Sequence, residues 1–302
     1  MDGTFFPSRM CSLVGVLLGL AVLAAACAAD DSSTPDSAAA TTEAIATTSS
    51  ALEASGPPSL VIGQLPDFLR HMSGAFSKYV NVWGVHIVAS PATEDPKVLH
   101  AANVMAQYLD NDADGTPDNE AVIDALVSSR ALLIMGSTFD EFEDLDWDIL
   151  DGYSVQDLYG DETARVDGFD SSLEEVHHLL WRFGWAEVFP EQLLDEKGSA
   201  IADAMDIARG GQFDTIPDPY PEGAWYTYYA ETCDYRCMIA EYIYWAHTSL
   251  MGGQEGRAGE IGEEWRLETA EKVRLIDTAA TAILEDSTLG LPTALPDGNY
   301  QS

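Results

Sequence analysis

Across residues 171–185 the chain reads SSLEEVHHLLWRFGW, which crowds two acids and two histidines into one short segment. At about 100° per residue, Val176, Leu179, Leu180 and Phe183 fall on one apolar side of a helix. Glu174, His177, His178 and Trp181 share the other side, with Glu175 beside them. Carboxylates and imidazoles so grouped can hold a divalent metal or move protons, so chemistry is expected here. A structural account competes: Asp170 or Ser171 caps the helix, Glu174 closes a capping box, and the histidines bond locally. Further on, Met238, Ile239, Tyr242, Ile243, Trp245, Ala246 and Leu250 predict a long buried helix over 231–250, which carries Glu241 and His247. A glutamate amid so much apolar surface is costly unless it is paired or ligates something.

The second constellation is Asp110-Asn111-Asp112-Ala113-Asp114-Gly115-Thr116-Pro117-Asp118. This D-x-D-x-D-G-x-x-D pattern sets carboxylates where a calcium loop needs oxygen ligands, and Gly115 supplies the sharp turn. Apolar residues every three or four positions predict a helix over 96–109 before it, and a second helix is expected over 120–127.

Both constellations resemble known families. The loop, placed between two helices, resembles the EF-hand and thrombospondin-type calcium loops. The resemblance implies Asp110, Asp112 and Asp114 as side-chain ligands, Thr116 as a backbone-carbonyl ligand and Asp118 as a direct or water-mediated one. At the twelfth position Ala121 stands where a bidentate glutamate is expected, with Glu120 and Asp124 nearby. The stretch Glu174-Glu175-Val176-His177-His178 resembles the H-E-x-x-H motif of zincin metallopeptidases, with Glu174 in place of the first histidine. The gluzincin branch draws its third ligand from a later helix, where Glu241 matches. The resemblance covers about 131–250 and implies Glu174, His178 and Glu241 as ligands of zinc or another divalent metal, with Glu175 as general base. His177, or a tyrosine such as Tyr228 or Tyr244, is left to stabilise an oxyanion. Two carboxylates and one histidine make a harder site than two histidines and one glutamate, which brings calcium, manganese and iron into range. Half of a ferritin-like di-iron site is a weaker reading, because no second E-x-x-H occurs.

The elements that must position these residues follow from the rest of the chain. A helix is expected over 61–72, a strand over 79–89 with His86 as a sheet residue, and a strand over 131–137. Residues 138–168 read as acidic and irregular, 199–208 as a short helix stopped by Gly210-Gly211, 220–229 as a Tyr-rich loop, and 269–284 as one or two helices. The expected fold is α+β, mainly helical with a small sheet, zincin-like, in one domain over 59–302.

The first ten residues carry a single Arg9, residues 12–26 are apolar and too short to span a bilayer comfortably, and Cys27 follows. Leu23-Ala24-Ala25-Ala26-Cys27 resembles the lipobox of bacterial lipoproteins, with Ala24 where leucine is preferred. That implies a signal over 1–26, lipidation of Cys27 and anchorage to the cell envelope; cleavage near Ala26 with release is the alternative. Residues 27–58 are Ala, Ser, Thr and acid, which reads as a flexible tether. Outside the cytoplasm, Cys233 and Cys237 are expected to form a disulfide. Lys and Arg number 14 against 51 Asp and Glu, and the net charge of -37 disfavours nucleic acid as a partner. Together these readings describe an extracytoplasmic calcium-binding lipoprotein with a metal-dependent hydrolase site acting on peptides. The alternative is a non-catalytic, calcium-stabilised envelope or adhesion protein.

Overall fold

The computed structural model describes residues 57–165 and 168–302. The expected signal, Cys27 and the tether as far as residue 56 lie outside them. The centre of the fold is β3 (Ala131–Gly136), buried along its whole length. Side chains alternate across a strand, so Ala131, Leu133 and Met135 enter a large core on one face while Leu132 and Ile134 enter a smaller core on the other. The smaller core is closed by Leu69, Met72, Phe76, Phe142 and Leu150. The larger one receives the helices.

Four strands in the order β1 (Lys78–Val82), β2 (Val85–Ala89), β3 and β4 (Ser154–Tyr159) form the sheet; β1 and β2 are antiparallel, and β2, β3 and β4 run parallel. The crossover from β2 to β3 carries α1 (Asp95–Leu109) and α2 (Glu120–Ser128), and the 110–118 loop joins them. After β4 comes α3 (Ser172–Leu180), which runs into a π-helical turn at Trp181–Trp185. Then follow α4 (Ala186–Val188), α5 (Pro190–Leu193), α6 (Ala200–Arg209), α7 (Tyr235–Leu250), α8 (Ala258–Ile261), α9 (Ala270–Ile276) and α10 (Thr278–Leu284). The chain is thus a mainly helical α+β protein. No helix among the described residues is long and apolar enough to cross a membrane.

Several expectations change in detail. The strand expected over 79–89 is a hairpin, folded at Trp83 (φ 47) and Gly84 (φ 90), with Asn81 Oδ1 accepting from the Gly84 N–H at 2.7 Å. Two successive positive φ values suit a tight hairpin turn, and the apolar character of Trp83 masked it. His86 lies in β2 and meets the Tyr79 hydroxyl at 3.0 Å. The helix expected over 61–72 is a 3-10 helix over Asp67–Met72 only, because Pro66 holds extended backbone and Gly63 bridges to Tyr79. The supposedly irregular 138–168 contains β4. The helix that carries Glu241 begins at Tyr235, where the Asp234 side chain caps it, and Cys233 is bonded to Cys237 in its first turn with Cα atoms 5.2 Å apart.

The π turn packs against α2 at Gly184, where a Cβ would stand 2.9 Å from Val122 Cγ1 and 3.1 Å from Leu126 Cγ. Gly184→Ala should therefore cost about 1–3 kcal/mol, read as a lower denaturation midpoint. An unchanged midpoint would show that α2 yields at no cost.

Candidate metal centre

The N-terminus of α3 is held by Asp170. Its Oδ1 accepts from the Ala164 N–H at 2.8 Å, the Ser172 N–H at 3.1 Å and the Ser172 hydroxyl at 2.6 Å, and its Oδ2 pairs with His100 at 2.5 Å. Ser171 makes no side-chain cap bond, and the expected capping box does not form. Glu174 is thereby released from the helix end. It turns inward, where α3 packs against α1, β3, β4 and α7. The polar side of this helix is as buried as the apolar one, because α7 covers it.

Against α7, Glu174 and His178 meet Glu241. One ligand atom from each of the three lies within 4.8 Å of the others. The residues are 7%, 5% and 4% exposed, so water offers them little solvation. His178 Nε2 and Glu241 Oε2 are buried with no hydrogen-bond partner. The other nitrogen of His178, Nδ1, lies 3.6 Å from Glu175 Oε2, and the ring bonds to the backbone of Ala240. A ring nitrogen satisfied on one side and bare on the other is how metal-binding histidines are prepared. Burial raises the Glu174 carboxyl to about 8, and the charge of Glu175 adds to the rise. Glu241 is pushed well above the usual range by burial and then by the Glu174 charge. Two carboxylates this close cannot both ionise in a dry interior unless a cation or proton lies between them. Two carboxylate oxygens and one imidazole nitrogen form a set that can hold a divalent metal.

Around this trio the acids continue. Gln156 Nε2 on β4 donates to Glu175 Oε2 at 2.6 Å, and burial, followed by Asp157, raises the Glu175 carboxyl well above its ordinary value. Glu162 is pushed up to about 8 by burial and the charge of Glu175. The Tyr228 hydroxyl has its proton held more tightly by burial and then by the charge of Glu241. Neither Gln156 nor Glu162 could be placed from sequence, because β4 was not foreseen. The two elements that carry the trio share one anchor: Asp195, 2% exposed, pairs with Arg182 in the π turn at 3.0 Å and with Arg236 on α7 at 2.7 Å.

His177 goes elsewhere. Its Nε2 is 3.1 Å from His247 Nδ1, and His247 Nε2 is 2.8 Å from the Pro292 carbonyl. A carbonyl only accepts, so His247 carries its proton on Nε2, accepts at Nδ1, and receives the Nε2–H of His177. Burial, then the neighbouring His247, lowers the His177 pKa well below the ordinary value, so the pair is neutral.

The 110–118 loop gathers a second group. Asp110, Asp112 and Asp114 offer oxygens within 4.8 Å of one another and could hold a divalent cation. Asp110 is fully buried and accepts from the N–H groups of Asp114 at 3.1 Å and Gly115 at 2.8 Å, with the Tyr300 hydroxyl also donating to it. Gly115 has φ 92, which a side chain would strain. Asp118 accepts from the Asn111 N–H at 2.7 Å and is raised by burial and the three neighbouring aspartates. Thr116 donates its N–H to Asp114 at 2.8 Å.

No protein-family model, curated protein or solved structure matches the chain, so its function is read from this geometry.

A carboxyl whose folded pKa is raised favours folding fully below its unfolded value, and that advantage is lost as pH rises through the folded value. In chelator, melting temperature should therefore fall as pH rises from the ordinary 4.5 of Glu174 to its raised value of about 8, and fall less in Glu174→Gln. An identical slope in the variant would assign the pH dependence to the overall charge of -37 instead.

Proposed function

We propose that this chain is an extracytoplasmic, lipid-anchored metalloprotein in which Glu174, His178 and Glu241 hold zinc or another divalent metal, and that the centre hydrolyses peptide bonds in the manner of a zincin. The observation that carries this reading is the pair of buried, partnerless atoms, His178 Nε2 and Glu241 Oε2, set within ligand reach of Glu174. Three protein ligands, with water or substrate in the fourth position, are the pattern of catalytic zinc sites. A bound metal would supply a Lewis acid for the scissile carbonyl. Glu175, whose Oε2 lies against His178 Nδ1 and accepts from Gln156, would have to turn from that ring edge toward the bare Nε2 to take a proton from the attacking water and return it to the leaving amine. Of the groups considered for the oxyanion, His177 is bonded to His247, and Tyr228, coupled to Glu241 and Glu174, is the better candidate. The lipid anchor rests on the 12–26 apolar run and Cys27, and the exclusion of nucleic acid rests on the net charge of -37.

The second element of the reading is an EF-hand-like calcium site formed by Asp110, Asp112, Asp114, the Thr116 carbonyl and Asp118. A non-catalytic, calcium-stabilised envelope or adhesion protein is favoured by one observation: all three residues of the inner trio are less than a tenth exposed.

Metal content and turnover separate the two. Mildly purified wild type should carry close to one transition metal per chain, and His178→Ala and Glu241→Ala should each lose it. Glu175→Gln should keep the metal while peptide hydrolysis falls by about 10²-fold or more. A protein that carries calcium alone would rule out the hydrolase.

Calcium has its own measurement. Calcium added to the metal-free protein should raise the melting temperature of wild type and leave Asp112→Ala nearly unmoved. If neither moves, the loop is a polar turn.

A further inference from the structure

The segment 290–300 meets the π turn that follows α3 directly and α3 itself through His247 of α7. The Trp185 Nε1–H, at the end of the π turn, donates to the Gly290 carbonyl at 3.2 Å. Two residues later, the Pro292 carbonyl accepts from His247, which in turn receives the His177 N–H of α3. His177 lies in α3 one turn before the π turn at Trp181–Trp185, where the helix departs from α geometry, and Trp185 closes that turn. A π turn breaks the regular ladder of backbone bonds and is a place where a helix can change register. The segment therefore bridges the weakest point of the element that presents Glu174 and His178.

What keeps the segment in place is equally specific. Asn103, Gln107 and Asn111 follow one another at i, i+4 and i+8, so they form a stripe of side-chain amides along α1 and into the loop. Asn111 Oδ1 accepts from the N–H groups of Thr293 at 2.8 Å and Ala294 at 2.9 Å, and its Nδ2 donates to the Ala294 carbonyl at 2.8 Å. Gln107 Oε1 accepts from Asp297 at 3.1 Å and Gly298 at 2.8 Å, and Asn103 Oδ1 accepts from Tyr300 at 3.0 Å. Nearly all these bonds are to backbone groups, so the amide stripe holds an extended chain largely independently of its side chains.

We infer that residues 290–300 act as a clamp, seated on the amide stripe of α1, that fixes the register of α3 across its π turn, and that His247 is the positioning residue through which the clamp reaches the Glu174, His178 and Glu241 centre. His247 touches no ligand residue directly; it holds His177, the neighbour of His178. The inference deepens the metal reading and rests on it for one of its two readouts, while the other requires no metal.

The first readout is amide hydrogen exchange of the metal-free, full-length protein. Gln107→Ala on the stripe and His247→Phe should each speed exchange in the 177–185 stretch by about tenfold or more while β3 amides keep their wild-type rates. His247→Gln, whose amide can still donate to Pro292 and accept from His177, should restore most of the protection. Uniform acceleration, or none, in both Gln107→Ala and His247→Phe overturns the clamp. The second readout is affinity for Co²⁺ with its visible absorption spectrum. His247→Phe should bind Co²⁺ about 10–100-fold more weakly with an altered spectrum, and His247→Gln should stay near wild type. Equal affinity and spectra in wild type and His247→Phe overturn the positioning role. Failure of wild type to bind Co²⁺ defeats the metal reading instead, and exchange then decides the clamp alone. If His247→Phe does not fold, Gln107→Ala carries both readouts.

Discussion

Two carboxylates and an imidazole face one another between α3 and α7 in a space that water barely enters, and the surrounding structure answers to that constraint. Left alone, the carboxylates hold their protons above the ordinary range, since burial and mutual repulsion both penalise charge. Folding around such a pair is unfavourable unless something compensates, and the compensation visible in the protein is partial. His178 contributes its ring and the Ala240 backbone orients it, yet one nitrogen and one oxygen stay bare. Hydrophobic packing elsewhere must bear the difference. The double-sided burial of β3 and the large core beneath the helices supply it, since each fully buried Leu, Ile or Val contributes about 1.5–3 kcal/mol.

The acids around the trio sharpen the electrostatic problem. The charge of Glu175, at the start of α3, raises the proton affinity of Glu162, just after β4, and both add to that of Glu174. A region so rich in carboxyl groups attracts cations from a distance and resists anions, in keeping with the charge of the chain as a whole. The 110–118 loop follows different physics. Its aspartates are mostly exposed and already occupied by N–H groups of the same loop, so a cation there would exchange with water easily.

Much of the candidate site was legible in the sequence, and the reasons are local. Glu174, His178 and Glu241 could be named because helical period fixes which residues share a face, and because a glutamate inside a run like MIAEYIYWA demands a partner. The disulfide followed from the small number of cysteines. What could not be read was set by tertiary structure. SVQDLY lacks a clean alternation, so β4 and with it Gln156 stayed hidden until the sheet provided a parallel neighbour. The hairpin at Trp83 and Gly84 was masked because a tryptophan rarely takes positive φ; here its burial against Tyr300 favours that conformation. The capping box failed because Asp170, one residue earlier, bonds the helix start better than Ser171. The partner of His177 could not be named for a related reason: His247 is seventy positions away in the chain.

Asp195 gives the arrangement a further property. A single buried carboxylate grips an arginine from the π turn that extends α3 and another from α7, so a salt-bridge triad ties together the two elements that carry Glu174, His178 and Glu241. An ion entering between Glu174 and Glu241 would meet donors already at their distance. The entropy of bringing two helices together is lost once, during folding, and the empty and filled states can share one backbone. Selectivity among ions would then fall to fit, favouring a cation whose radius matches the set distance between the donors over one that would need the helices to part.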